Sequence, residues 1–339
     1  MRKNKLLIIA LIIIVSLLTA ACTRPAVQIK LNYSVFFPPT HKNALLAEDW
    51  AKEIEKETNG RVKITVFSNG TLTPSDKCYD GVVQGISDLG FSVFAYTRGR
   101  FPLMEIADLP VGLSSGVNAT KAINEFYQKF KPKELADVEV MYLHGHGPGL
   151  LHTKSPVRKL EDLKGMKIRC TGIAAGIVTA LGGTPVAMPM GDTYDAISRG
   201  VVDGSMAPQE SLQGWKWGEV VKYTTENLGS SYSTGMFVVM NTQKWASLPA
   251  DIQAVFRKVN AEYADKQGKL WDEIDQEGRA FTLERKNTII SLSPQEDARW
   301  AAAVKPILDD YATRMKAKGL PGDEAVKFYL DTVARLQKN

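Results

Sequence analysis

The sequence predicts an α/β protein of two lobes, with a cleft and a hinge between them and one long helix running along both. Three observations predict it. Short strands alternate with short helices through most of the chain, most densely over residues 161–214, which is the pattern of sheets covered by helices. The run His144-Gly145-His146-Gly147-Pro148-Gly149 puts three glycines and a proline between two such stretches, where the backbone can bend sharply. From Asp251 to about Arg285 one helical periodicity persists for roughly thirty-five residues, about 50 Å of helix, long enough to border both lobes.

Length and composition agree: 339 residues with 44% hydrophobic and 9% aromatic content can build two real cores. The net charge is +5, and three of those charges, Arg2, Lys3 and Lys5, lie in a leader without acids, which leaves +2 for the rest. No basic stripe is visible, so no nucleic-acid partner is expected. Arg2 to Lys5 followed by the apolar run Leu6 to Leu18 reads as a secretion signal over residues 1–21, too short for a comfortable membrane span. Leu18-Thr19-Ala20-Ala21-Cys22 resembles a bacterial lipobox, so Cys22 is a lipidation candidate and a possible point of membrane attachment; Thr19 and Ala21 would equally serve an ordinary signal peptidase.

Along the chain, Val27 to Val35 alternates apolar and polar residues and reads as a strand. Asn43 to Thr58 is a helix with Leu46, Trp50 and Ile54 on one face, ended by Gly60, and Arg61 to Phe67 is a second strand. Thr73-Pro74-Ser75-Asp76 gives an N-cap with proline at the first helical position, starting a helix that carries Cys78. Strand Asp88 to Phe94, an irregular apolar segment to Pro110, helix Val117 to Phe130 and strand Val138 to Leu143 follow. The chain then changes lobe at the glycine-rich run, and strand Ser233 to Met240 returns it. Lobe I is expected to comprise residues 27–146 and 233–270, and lobe II residues 147–232 and 271–339, with both terminal helices, Pro294 to Lys318 and Asp323 to Gln337, in lobe II.

Within residues 161–214, strand Met166 to Cys170 carries Arg169 near its carboxyl end, and Gly172 opens the next helix. Ligands of open α/β sheets sit beyond such strand ends, and an arginine there suits an anion. Gly182 and Gly183 stop that helix, Pro185 to Pro189 is a short strand, and Gly191-Asp192 begins another helix. The runs DLKGMKIR, TPVAMPM and TYDAISRGVVDG, with Pro208 behind them, resemble the signature of the extracytoplasmic solute-binding proteins of TRAP (tripartite ATP-independent periplasmic) transporters, and the similarity covers nearly the whole chain after the leader.

The resemblance implies a periplasmic-binding-protein-like fold outside the cytoplasmic membrane, no catalysis, no cofactor, and delivery of a carboxylate ligand to TRAP permease membrane subunits. It implies that Arg169 holds the ligand carboxylate, where a guanidinium offers two parallel donors. It also implies a pocket lined by strand ends: Phe36, Ser92, Phe94, Tyr96, Gly172, Met188 and Met190, with Trp215 stacking or merely packing. Ala207 stands where binders of C4-dicarboxylates or sialic acid commonly have asparagine, and Gly149 where a second arginine can occur. Both are expected to leave space, and the solute is expected to be a monocarboxylate with an aromatic or other apolar tail. A C4-dicarboxylate is the alternative within the family.

Other chemistry has weaker support. His144 and His146 could face one side of a strand as metal ligands, but no third ligand stands at a suitable spacing, so no metal is expected. Cys170 with a nearby histidine would make an exported enzyme. With Cys22 lipidated, Cys78 and Cys170 remain as a candidate disulfide.

Overall fold

Two sheets carry the architecture of the computed structural model, which describes residues 28–338. The leader and Cys22 lie outside the described residues.

The first lobe opens with a β-α-β unit. β1 (Ile29–Val35) pairs in parallel with β2 (Val62–Phe67), and α1 (Lys42–Glu57) crosses between them with Trp50 and Ile54 buried. His41 caps α1, its Nδ1 accepting from the Asn43 N–H at 3.2 Å. α2 (Cys78–Val83) begins well after Thr73-Pro74. The expected cap fails because the Thr73 hydroxyl is already bonded to the Ser34 hydroxyl at 2.6 Å, and a turn at Ser75–Lys77 intervenes. β3 (Leu89–Val93), α3 (Gly116–Phe130), capped by Ser115, and β4 (Val138–Gly145) follow.

The chain then enters the second lobe. β5 (Leu150–Thr153) leads to β6 (Lys167–Cys170), α4 (Ala174–Ala180), β7 (Thr184–Ala187), α5 (Met190–Ser198), β8 (Gly204–Ala207), α6 (Ser211–Gly214) and β9 (Tyr223–Glu226). β10 (Gly235–Asn241) returns to lie antiparallel between β3 and β4, followed by α7 (Thr242–Ser247). The first sheet therefore runs β2-β1-β3-β10-β4. α8 (Ala250–Glu284) is one unbroken helix of 35 residues. It packs Phe256, Tyr263 and Ile274 into the first core and carries Trp271 to the cleft. Near its far end it meets the Gln209–Glu210 segment. β11 (Thr288–Ser291) then joins β9, so the second sheet runs β11-β9-β5-β8-β6-β7.

Three helices close the chain: α9 (Pro294–Val304), α10 (Pro306–Ala317) and α11 (Gly322–Leu336). α9 belongs to the second lobe, burying Trp300 against Ile168 and Ile177. The placement of the last two in lobe II is corrected. The Tyr311 hydroxyl donates to the Leu103 carbonyl at 2.9 Å, Tyr329 packs edge-on against Phe126 of α3, and Arg335 pairs with Glu125. The reason is apolar area: α3 buries one face on its own sheet and leaves Phe126 and Phe130 needing cover, which the amphipathic α11 supplies.

Candidate ligand-binding site

β6 positions Arg169. The strand is bracketed by β7 and β8, both parallel to it, which places its carboxyl end at the rim where the two lobes meet. Arg169 is 2% exposed, yet no described acid lies within ion-pairing distance of it. Its Nε donates to the Met188 carbonyl at 2.9 Å, and its guanidinium carbon sits 5.7 Å from the centre of the Trp217 ring. These contacts support the fork from one edge and one face, and the Tyr96 hydroxyl lies beside it on the wall of the cavity that both border.

That cavity is small, about 30 Å³, room for the centres of roughly two waters. Phe36 and Tyr96 face it from the first lobe, Met190, Trp215 and Tyr232 from beyond the crossing, and Trp271 from α8. Phe36 and Trp215 come from opposite lobes and lie nearly parallel, 6.1 Å apart at 19°, while Tyr96 stands edge-on to Phe36. The lobes touch through polar groups too. The Met190 N–H donates to the Tyr96 hydroxyl at 3.2 Å, and His41 Nε2 meets Glu210 Oε2 at 2.9 Å with both side chains 2% exposed. Burial pushes the Tyr96 phenol up, and the nearby Arg169 charge partly offsets this, so the ring is a neutral wall.

Of the residues expected here, Arg169, Phe36, Tyr96, Met190, Ala207 and Trp215 line the cavity. Ser92 and Phe94 do not, which corrects their assignment. The chain leaves extended geometry at Phe94–Tyr96, a single 3₁₀ turn, so residues 92, 94 and 96 do not share a face. The Ser92 hydroxyl donates to the Ser75 carbonyl at 2.7 Å, and Phe94 packs against Phe101 and Phe237 in the first lobe. Met188 gives Arg169 its carbonyl and lines an adjacent hollow with Arg98 and Gly172. Gly172, left-handed at φ +51°, brings the second lobe against Asp108 and Ala95; any side chain there would collide with both. Gly149 leaves no space for ligand, because the Tyr232 ring occupies it: a Cβ there would lie 2.3 Å from that ring.

Several lining residues escaped the sequence reading: Thr171, Glu210, Tyr232 and Trp271. Glu210 had a faint signal, two residues past Pro208, but nothing in the sequence shows that α8 brings Trp271 to the same place. His146, weighed in the sequence as a metal ligand or as a base for Cys170, is another wall. Its Nδ1 donates to the Gly147 carbonyl, and burial together with the Arg169 charge pushes its pKa down to about 4, so it is neutral at pH 7. His144 accepts from Trp271 Nε1 at 3.0 Å through its Nδ1, and burial takes its pKa down to about 3. No group of three His, Cys, Asp or Glu among the described residues could hold a metal ion.

The candidate disulfide is also corrected. Cys78 and Cys170 are both free thiols. Cys78 is in the first-lobe core beside the Ser34 carbonyl and Cys170 in the second-lobe core with Ile168 and Ile177, so neither reaches across the cleft. Burial pushes the Cys78 thiol up to about 12 and raises Cys170 as well, which disfavours the thiolate a nucleophile needs.

Residues 33–314 match the profile of the bacterial extracellular solute-binding proteins, family 7, DctP. The chain belongs to this family. Solved structures similar to it are TRAP solute-binding proteins. The C4-dicarboxylate-binding periplasmic protein DctP of Vibrio cholerae is 25% identical over 316 residues, covering 91% of this chain and 93% of that protein. A marine metagenome TRAP solute-binding protein, described as specific for aromatic acid ligands and crystallised with metahydroxyphenylacetate, is 30% identical with a TM-score of 0.87, covering 91% of this chain and 99% of its own. A Rhodoferax ferrireducens TRAP solute-binding protein in complex with copurified benzoate shows the same TM-score at 25% identity, covering 92% and 99%.

Proposed function

We propose that this TRAP solute-binding protein captures an aromatic or similarly flat, apolar monocarboxylate and delivers it to the membrane permease subunits, with Arg169 on the carboxylate. The observation that carries the reading is a buried guanidinium with no acidic partner among the described residues, at the wall of a small cavity built mostly from aromatic and methionine side chains. A buried cation of this kind is costly until an anion joins it, so ligand binding completes the site. Among the described residues Arg169 is the only cationic side chain on the cavity wall, since His146 is neutral, and a second carboxylate would find no cationic partner among them. The relatives that hold benzoate and metahydroxyphenylacetate support the same solute class.

In this reading the lobes close about the two strand crossings, between β4 and β5 and between β9 and β10, with α8 as a common backing. A leader at residues 1–21 exports the chain, and Cys22 is the candidate for a lipid tether. Mass spectrometry of ligand released from the purified protein, followed by a thermal-shift panel, tests the solute class. Stabilisation by benzoate, hydroxybenzoates or phenylacetates is expected. Stabilisation by succinate, malate or fumarate with none from aromatic acids would overturn the solute class and leave the carboxylate anchor in place.

A further inference from the structure

Glu210 is a buried acid on the wall of a cavity whose one other charged side chain among the described residues is Arg169. Its backbone N–H donates to the Asp275 carboxylate at 2.8 Å, which ties the segment to α8. One of its side-chain oxygens is occupied. His41 Nδ1 accepts from the Asn43 N–H, so the ring proton sits on Nε2 and is donated to Glu210 Oε2. Among the described residues none donates to Oε1, which leaves the lone pairs of that oxygen for water or a ligand.

Arg169 and Glu210 belong to different walls. Tyr96 and Thr171 separate the cavity from the hollow that contains Met188, the partner of Arg169. Glu210 separates it from a different hollow, shared with His41 and Gln213. A ligand whose carboxylate lies on Arg169 therefore presents its remote end to Glu210.

We propose that Glu210 determines specificity at that remote end, accepting a hydrogen bond on Oε1 from a ring hydroxyl or ring amine and repelling a second carboxylate. The proposal rests on the aromatic monocarboxylate reading and narrows it to hydroxy- or amino-substituted aromatic acids. A hydrogen bond to a charged acceptor corresponds to a preference of about tenfold or more over the unsubstituted ring. A cross-lobe contact with His41 that merely stabilised the closed form would strengthen every ligand alike, so a ratio of affinities separates the two roles.

The test is titration calorimetry of the full chain with benzoate, 3- and 4-hydroxybenzoate, 3- and 4-aminobenzoate and isophthalate. The expected result is a preference of about tenfold for at least one hydroxy or amino acid over benzoate, with isophthalate weakest. That ratio should collapse toward one in both Glu210→Gln and Glu210→Leu and persist in His41→Gln, whatever happens to the absolute affinities. Equal wild-type affinities, or a ratio that survives both Glu210 substitutions, would overturn the proposal while leaving aromatic binding intact. Failure of every aromatic acid to bind would remove the aromatic reading and this proposal together.

Discussion

The Arg169 Nε and the Met188 carbonyl meet at 2.9 Å, joining the end of β6 to the segment just after β7. One edge of the guanidinium is thereby held by backbone, and in the proposed function this lowers the ordering cost of binding a carboxylate. Lysine has no such fork to hold. Arg169→Ala is expected to weaken carboxylate binding by about 3 to 5 kcal/mol, because a buried charge loses its partner, with Arg169→Lys also impaired. Titration calorimetry on folded variants measures this. Near-wild-type affinity in Arg169→Ala would remove the anchor.

Gly278 is where α8 meets the Gln209–Glu210 segment without a side chain between them. A Cβ there would lie 2.2 Å from the Gln209 carbonyl oxygen, and neither backbone is free to move aside. Gly278→Ala is expected to destabilise by about 1 to 3 kcal/mol through overpacking, even though alanine is the better helix former. Ligand affinity should fall with it, since Glu210 moves. Urea unfolding showing a more stable variant would contradict this packing.

The three buried histidines of the strand region should stay neutral across ordinary pH. Burial is the main cause, taking His144 to about 3 and His146 and His152 to about 4. With folded values below the unfolded one, each contributes stability that is present above about pH 6.5 and is lost as pH falls toward the folded value. Glu134, raised to about 7, and Asp108, raised by burial, act in the opposite sense: their contribution is present at low pH and lost as pH rises. The global pH profile therefore mixes opposing slopes, and ring NMR signals are the direct measurement. They should not titrate between about pH 5.5 and 8. A His146 signal that moves with a midpoint near 6.5 would show that its site is wetter and less coupled to Arg169.

Cys78 and Cys170 should both be alkylated when the unreduced protein is denatured in the presence of iodoacetamide, and both should react slowly when it is native. Peptide mapping distinguishes the two conditions. Recovery of a linked Cys78–Cys170 peptide would overturn the free-thiol assignment.

The sequence alone determined the fold class, the family and the placing of Arg169 at a strand end that borders the cleft. Periodicity settles local structure wherever one face of an element is buried, as in α1, in the uninterrupted α8 and in the strand-helix alternation around Arg169. Tertiary structure decided which face each strand end presents and what lies opposite it. A single 3₁₀ turn at Phe94–Tyr96 put Phe94 in the core and Tyr96 in the cleft. Tyr232 filled the space that Gly149 was expected to leave, and α11 crossed to cover α3. Glu210 and Trp271 reached the cavity only because the lobes and α8 come together there. Such contacts join residues far apart in the chain, and local propensity and spacing carry no information about them until the cores have packed.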